Sequence, residues 1–101
     1  MVELKVEDGR ILIKSKQGVW IHVDAIAVDP EADGFVFCLV DDDGWPVEPS
    51  FLIKTDELRR YPEVLKRCLS VKPKDGKDKE YIEKIRSDIY DQTKSATPLL
   101  R

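Results

Sequence analysis

Apolar residues recur at every second position through the first half of the chain. In "VELKVEDGRILIKSK" Val2, Leu4 and Val6 fall on one side of an extended backbone, and Glu3, Lys5 and Glu7 on the other. A period of two predicts a strand, not a helix. Asp8-Gly9 then separates two apolar runs, which predicts a tight hairpin: both central residues of a type I′ turn need positive φ, and Asp and Gly tolerate it. Ile11 to Lys16 is the expected return strand. Gln17-Gly18 turns the chain again, into "VWIHVDAIAV", where Val19, Ile21, Val23, Ala25 and Ala27 share one face and predict a single long strand.

Two acidic clusters follow, "DPEADG" and "DDDGW", with a mostly apolar run from Phe35 to Val40 between them. Read as turns, they bracket another strand. Pro30 fixes φ early in the first turn, and Gly34 is expected to supply its left-handed residue. Pairing Val28 with Gly34 across a five-residue loop puts Phe35, Phe37 and Leu39 on the face of Val23, Ala25 and Ala27. Asp43-Gly44 leads into a fifth strand, "WPVEPSFLIK", in which Pro46 and Pro49 lack ladder donors and so predict an edge position.

Beyond Ile53 the period changes. Thr55 is placed to cap a short helix carrying Leu58, and Pro62 begins a second helix with Val64, Leu65 and Leu69 inward, covering a sheet face. Tyr61, which precedes the proline, is disfavoured in the helical region and predicts a break. Residues 71–76 read as a polar linker. In "KEYIEKIRSDIYDQ" Ile82, Ile85 and Ile89 recur at spacings of three and four with Tyr81 and Tyr90 beside them, predicting an amphipathic helix over 77–93. Residues 94–101 read as a loose tail that Leu99 and Leu100 could anchor. The expected fold is therefore α+β. Residues 1–70 form one domain, an antiparallel meander of about five strands, twisted or curled into a small barrel, and then a broken helix; the tethered C-terminal helix follows.

Length agrees, since 101 residues suit a single core. The opening residues carry charges too often for a signal peptide, and no run approaches the ~18 apolar residues of a membrane span. Cys38 and Cys68 sit inside apolar stretches and read as buried thiols of a reducing compartment. A cytoplasmic protein with no membrane partner is the expectation.

Little in the sequence points to chemistry. "DPEADG" matches the start of an EF-hand loop, with Asp29, Glu31 and Asp33 at its first three ligand positions, but the closing glutamate position is occupied by Val40. A metal site is not expected. The expected register also brings Cys38 opposite Asp24 and diagonal to His22, the chain's one histidine. A nucleophilic site needs the imidazole between thiol and carboxylate, whereas this order puts the carboxylate nearest the sulfur, where it opposes thiolate formation. Phosphate-binding loops, dinucleotide fingerprints, zinc-ligand spacings and repeats do not occur. Neither catalysis nor a cofactor is expected.

Charge is divided unevenly. Residues 1–50 carry 4 Lys/Arg against 11 Asp/Glu, and residues 51–101 carry 13 against 9, so the halves stand at −7 and +4 within a net charge of −3. Attraction between them within one fold accounts for most of this. One functional reading is a nucleic-acid accessory role for Arg59, Arg60, Lys66, Arg67, Lys72 and Lys74. The favoured reading is a non-catalytic interaction or regulatory module. Its partner, another protein or a second copy bound through the C-terminal helix, would meet Trp45, the acidic turn Asp41, Asp42 and Asp43, and the stripe of Tyr81, Ile82, Ile85 and Ile89. Trp45 has a competing structural role, folding over the end of the sheet to shield the core.

Overall fold

The computed structural model describes residues 2–96, with side chains as far as Ile89. Leu99 and Leu100, the expected tail anchors, and the side chain of Tyr90 lie outside the described residues. The chain forms two compact units, Met1–Val71 and Lys72–Arg101.

The first unit is α+β, as its patterning predicts. Among the described residues, six strands make two three-stranded antiparallel sheets in place of one continuous meander. β1 (Leu4–Glu7), β2 (Arg10–Lys14) and β3 (Trp20–His22) form the first; β4 (Ala25–Asp29), β5 (Gly34–Val40) and β6 (Pro46–Lys54) form the second. The β1–β2 hairpin closes as expected, with Asp8 at φ 52° and Gly9 at φ 78° between paired Glu7 and Arg10.

The long strand expected from Val19 to Ala27 is broken at Val23-Asp24, where the chain passes between sheets. The Val23 amide donates to the Ile11 carbonyl of the first sheet at 2.9 Å, and the next amide, Asp24, donates to Cys38 of the second at 3.0 Å. The Asp24 carboxylate holds the bend by accepting the Val40 amide at 3.1 Å.

The β4–β5 register differs from the expected one by a single residue. Asp29, not Val28, pairs with Gly34, so the loop has four residues and Phe35 and Phe37 lie opposite Val28 and Ile26. A slip of one residue reverses every side chain in a strand. The left-handed residue of this loop is Asp33, at φ 56°, and Gly34 has a different task. A Cβ there would stand 2.5 Å from the Ile53 carbonyl oxygen, so only glycine lets β6 approach.

The core of the unit contains Leu4, Ile11 and Ile13 from the first sheet and Val28, Phe35, Phe37 and Ile53 from the second. Two short helices complete it. α1 (Thr55–Leu58) packs on β5 and β6, and α2 (Pro62–Cys68) packs on β1 and β4, so that α2 spans both sheets. Leu58, Val64, Leu65, Cys68 and Leu69 are buried beneath them. The break at Tyr61-Pro62 is present, with Pro62 in the first turn of α2. Thr55 does not cap α1: it is the first helical residue, is buried, and leaves the cap position to Lys54. The Tyr61 hydroxyl donates to the Val2 carbonyl at 2.9 Å, and the Arg67 guanidinium donates to the Gly9 carbonyl, fastening α2 to both ends of β1.

The second unit contains α3 (Gly76–Ala96), which starts one residue before the expected helix and runs three further. Its start is encoded in "KPKDGKD". Asp75 Oδ1 accepts the Asp78 amide at 3.0 Å, and Asp78 Oδ2 accepts the Lys74 amide at 3.0 Å. This is a reciprocal arrangement of the capping-box kind, with Asp in place of Ser/Thr and Glu.

Candidate interaction surface

The turn from Asp41 to Trp45 is organised by one carboxylate. Asp41 Oδ1 accepts the amides of Asp43 and Trp45, each at 2.9 Å, while the Asp41 amide donates to the Trp45 carbonyl at 2.9 Å. Gly44, at φ 85°, allows the chain to close. Short Asp side chains bond nearby amides readily, which is why this residue begins so many turns. The carboxylate of Asp41 is thus occupied by its own loop, whereas Asp42 and Asp43 remain exposed.

Trp45 is not folded over the core, for 70% of its surface is exposed. It stands at the start of β6, and β6 is an edge strand, as the two prolines predict. Between the pairs Cys38–Ser50 and Leu39–Val47 the residues Glu48 and Pro49 form a bulge whose peptide bond is cis. β6 exposes apolar residues on both sides of this bulge, Val47 at 39% and Leu52 at 51%. Leu52 continues a row of small apolar residues on the outer face of the second sheet, beside Val36 and Ala27. Alternation alone understated this surface. The available signal was a strand with prolines at its start and apolar residues on both faces at its end.

A groove runs beside the last residues of β6, lined by Val2, Ser50, Leu52, Lys54, Asp56 and Glu57. The Glu57 Oε2 is buried there without a hydrogen bond; its ion-pair partner, Arg60 Nη1, is 3.6 Å away, too far to donate.

The other sequence-derived candidates are dispersed. Cys38, Asp24 and His22 do not form a relay. Cys38 Sγ donates to the Ala25 carbonyl at 3.6 Å, Asp24 serves the Val40 amide, and exposed His22 accepts from Arg10 at 3.2 Å through Nδ1. Cys68 is fully buried, and burial pushes its thiol up to about 12, away from the reactive thiolate. In the loop with an EF-hand beginning, Asp29 Oδ1 accepts the Ala32 amide at 3.3 Å, and Gly34 onward is strand. No cluster of three or more His, Cys, Asp or Glu side chains suited to a metal ion occurs among the described residues. None of the described helices is long and apolar enough to cross a membrane.

Of the basic set, Arg59 pairs with Asp56 and Arg60 with Glu57, both at 3.6 Å, and Arg67 is engaged by Gly9. Lys66 is exposed on α2, while exposed Lys72 and Lys74 belong to the second unit. On α3, Ile82 and Ile85 are buried and Tyr81 and Ile89 half-buried. Elsewhere, Trp20 is gripped by two ammonium groups, Lys5 Nζ at 4.4 Å and Lys14 Nζ at 5.8 Å from its ring centre; these also pair with Glu7 and Glu3.

In comparisons with known proteins, the chain matches no family model, no curated protein and no solved structure.

Proposed function

We propose that this chain is a small non-catalytic interaction module that works in the cytoplasm by docking another protein chain along β6. One observation carries the reading: an edge strand of nine residues has a 70%-exposed tryptophan at its head and a half-exposed leucine near its end. Edge strands offer unpaired backbone groups, and proteins ordinarily blunt them with charge, proline or bulges. Here the prolines and the bulge are confined to the first half, at Pro46, Glu48 and Pro49, and the second half carries one charge, Lys54 at its end. The second half, Ser50 to Lys54, is left in regular ladder geometry. Trp45 supplies the large aromatic anchor that interface energetics favour, and exposed Asp42 and Asp43 would steer basic partners toward it. Because Ile82 and Ile85 are buried, β6 is a better seat for the partner than the α3 stripe. Free, buried Cys38 and Cys68 suit a reducing compartment.

The test is selection from a random peptide library displayed on phage, with the chain immobilised. Enriched peptides should bind in an extended form, compete with one another and lose at least tenfold in affinity to Trp45→Ala and Leu52→Lys. Failure to enrich any peptide, or binding indifferent to both substitutions, would overturn the reading.

A further inference from the structure

A cleft of about 360 Å³ opens between the start of β2 and the start of β4, walled in part by Ile11, Val23 and Ile26. Arg10, Arg67 and Asp24, all exposed, also line it. Arg67 reaches it from α2, and its guanidinium donates to the carbonyl of the peptide group that joins Gly9 to Arg10. Arg10 leaves that same peptide group and sets Nη1 3.2 Å from His22 Nδ1, at the end of β3. The carbonyl and the imidazole nitrogen are neutral acceptors, and each occupies one of the five N–H donors of its guanidinium. Among the described residues neither arginine is paired with a carboxylate, whereas Arg59 and Arg60 are paired with Asp56 and Glu57. The Asp24 carboxylate is turned to the Val40 amide, which it accepts at 3.1 Å.

We propose that this cleft binds a phosphomonoester, with Arg10 and Arg67 holding the phosphate and Ile11, Val23 and Ile26 receiving the apolar body of the ester. None of the residues lining it belongs to β6, so this site goes beyond the docking strand and does not depend on it. Charge selects the group. A phosphomonoester carries about −1.5 to −2 at neutral pH, which suits two guanidiniums, while a carboxylate carries half as much. Geometry selects it too, because three phosphate oxygens can serve two guanidinium forks and two carboxylate oxygens fill only one. The volume is at the small end of ligand pockets, enough for a phosphate and one compact apolar group. Such an ester has two sources, a free phosphorylated small molecule and a phosphorylated side chain of another protein, and both present the same chemistry to the cleft.

The test is an amide NMR titration of the full chain with phenyl phosphate, benzoate and inorganic phosphate, each to about 10 mM. Phenyl phosphate should give saturable shifts at Ile11, Val23 and Ile26 with a Kd below about 1 mM. Benzoate should bind at least tenfold more weakly for want of charge and oxygens, and inorganic phosphate more weakly for want of an apolar body. Arg10→Gln and Arg67→Gln should each weaken phenyl phosphate about tenfold. Both keep an N–H donor for His22 or the Gly9 carbonyl, and unchanged amide shifts away from the cleft check that each variant is folded. Asp24→Asn keeps an oxygen for the Val40 amide and removes a negative charge, so it should tighten binding about twofold, a gain that misfolding cannot produce. No saturation by about 10 mM, benzoate or inorganic phosphate binding as well as phenyl phosphate, or glutamine variants that bind like wild type overturns the proposal. A short phosphotyrosine peptide separates the sources: binding at least tenfold tighter than phenyl phosphate assigns a phosphorylated protein, and equal or weaker binding assigns a free small ester.

Discussion

Gly34 lies directly against the backbone of β6, where an added Cβ would stand 2.5 Å from the carbonyl oxygen of Ile53 and 2.9 Å from the Cα of Lys54. Both obstacles are main chain and cannot rotate aside. Gly34→Ala should therefore force the start of β5 away from β6, at a cost of about 3 kcal/mol. In thermal unfolding this corresponds to a midpoint lower by about 12–24 °C for a domain of this size. Gly44→Ala, in open space, should show only the smaller cost of a left-handed backbone, and a comparison of the two melts checks the assignment.

Only part of this arrangement could be read from the sequence. Hairpins, edge position and the broken helix were legible because each rests on local chemistry: Asp8-Gly9 for positive φ, Pro46 and Pro49 for missing donors, Tyr61-Pro62 for the break. The β4–β5 register was not. Val23, Ala25 and Ala27 on one face compete with Ile26 and Val28 on the other, so alternation scarcely favours either pairing. The observed pairing goes with a four-residue loop in which Asp33, not Gly34, takes the left-handed position. The start of α3 was legible in principle, since Asp75 and Asp78 have the spacing of reciprocal caps, but Pro73 and Gly76 gave the segment the look of a linker. For the candidate surface, sequence reasoning pointed to Trp45 and the acidic turn. It did not single out Leu52, whose exposure depends on β6 having, among the described residues, no neighbour beyond β5 in its sheet.

Tyr61 joins the start of α2 to the start of β1 through one hydrogen bond, 2.9 Å from its hydroxyl to the Val2 carbonyl. Tyr61→Phe keeps the ring and removes only this bond, so the expected loss is about 1 kcal/mol. Hydrogen exchange should localise the effect. Amides of β1 should exchange faster in the variant, while those of β5, held on both sides, stay protected.

Burial of Cys68 should make stability fall in alkali. Burial raises its thiol to about 12, against an ordinary value near ~8.5, so above the ordinary value the unfolded chain loses a proton that the native chain retains. The contribution is complete below about pH 8.5 and declines as pH rises toward 12, with a slope approaching ~1.4 kcal/mol per pH unit. Wild type should lose more stability between about pH 8 and 10 than Cys68→Ala, whose cavity cost does not vary with pH. Urea unfolding of both proteins at the two pH values gives the difference directly, and parallel curves would show that Cys68 does not control it. Iodoacetamide should label Cys68 slowly in the native chain and at an ordinary rate in urea.

Asp41 holds Trp45 in place rather than serving a partner itself. Its Oδ1 accepts two amides at 2.9 Å, so Asp41→Ala leaves both donors of an exposed turn to water, at a cost of about 1 kcal/mol. Asp41→Asn retains a side-chain oxygen at the same position and should recover most of that loss, which a role for the negative charge would not allow. Asp42→Asn and Asp43→Asn should leave stability within about 0.5 kcal/mol, as exposed surface changes do. The decisive measurement is Trp45 fluorescence in a Trp20→Phe background, which leaves one indole to report. Loss of the Asp41 carboxylate should broaden the orientations of Trp45 and lower its anisotropy, and Asp41→Asn should restore it. Peptides selected on the wild-type chain should then bind Asp41→Ala more weakly and Asp41→Asn nearly as well, because what they require is a turn that presents the indole ahead of β6. Equal weakening by Asn and Ala would instead assign the carboxylate's charge to the partner.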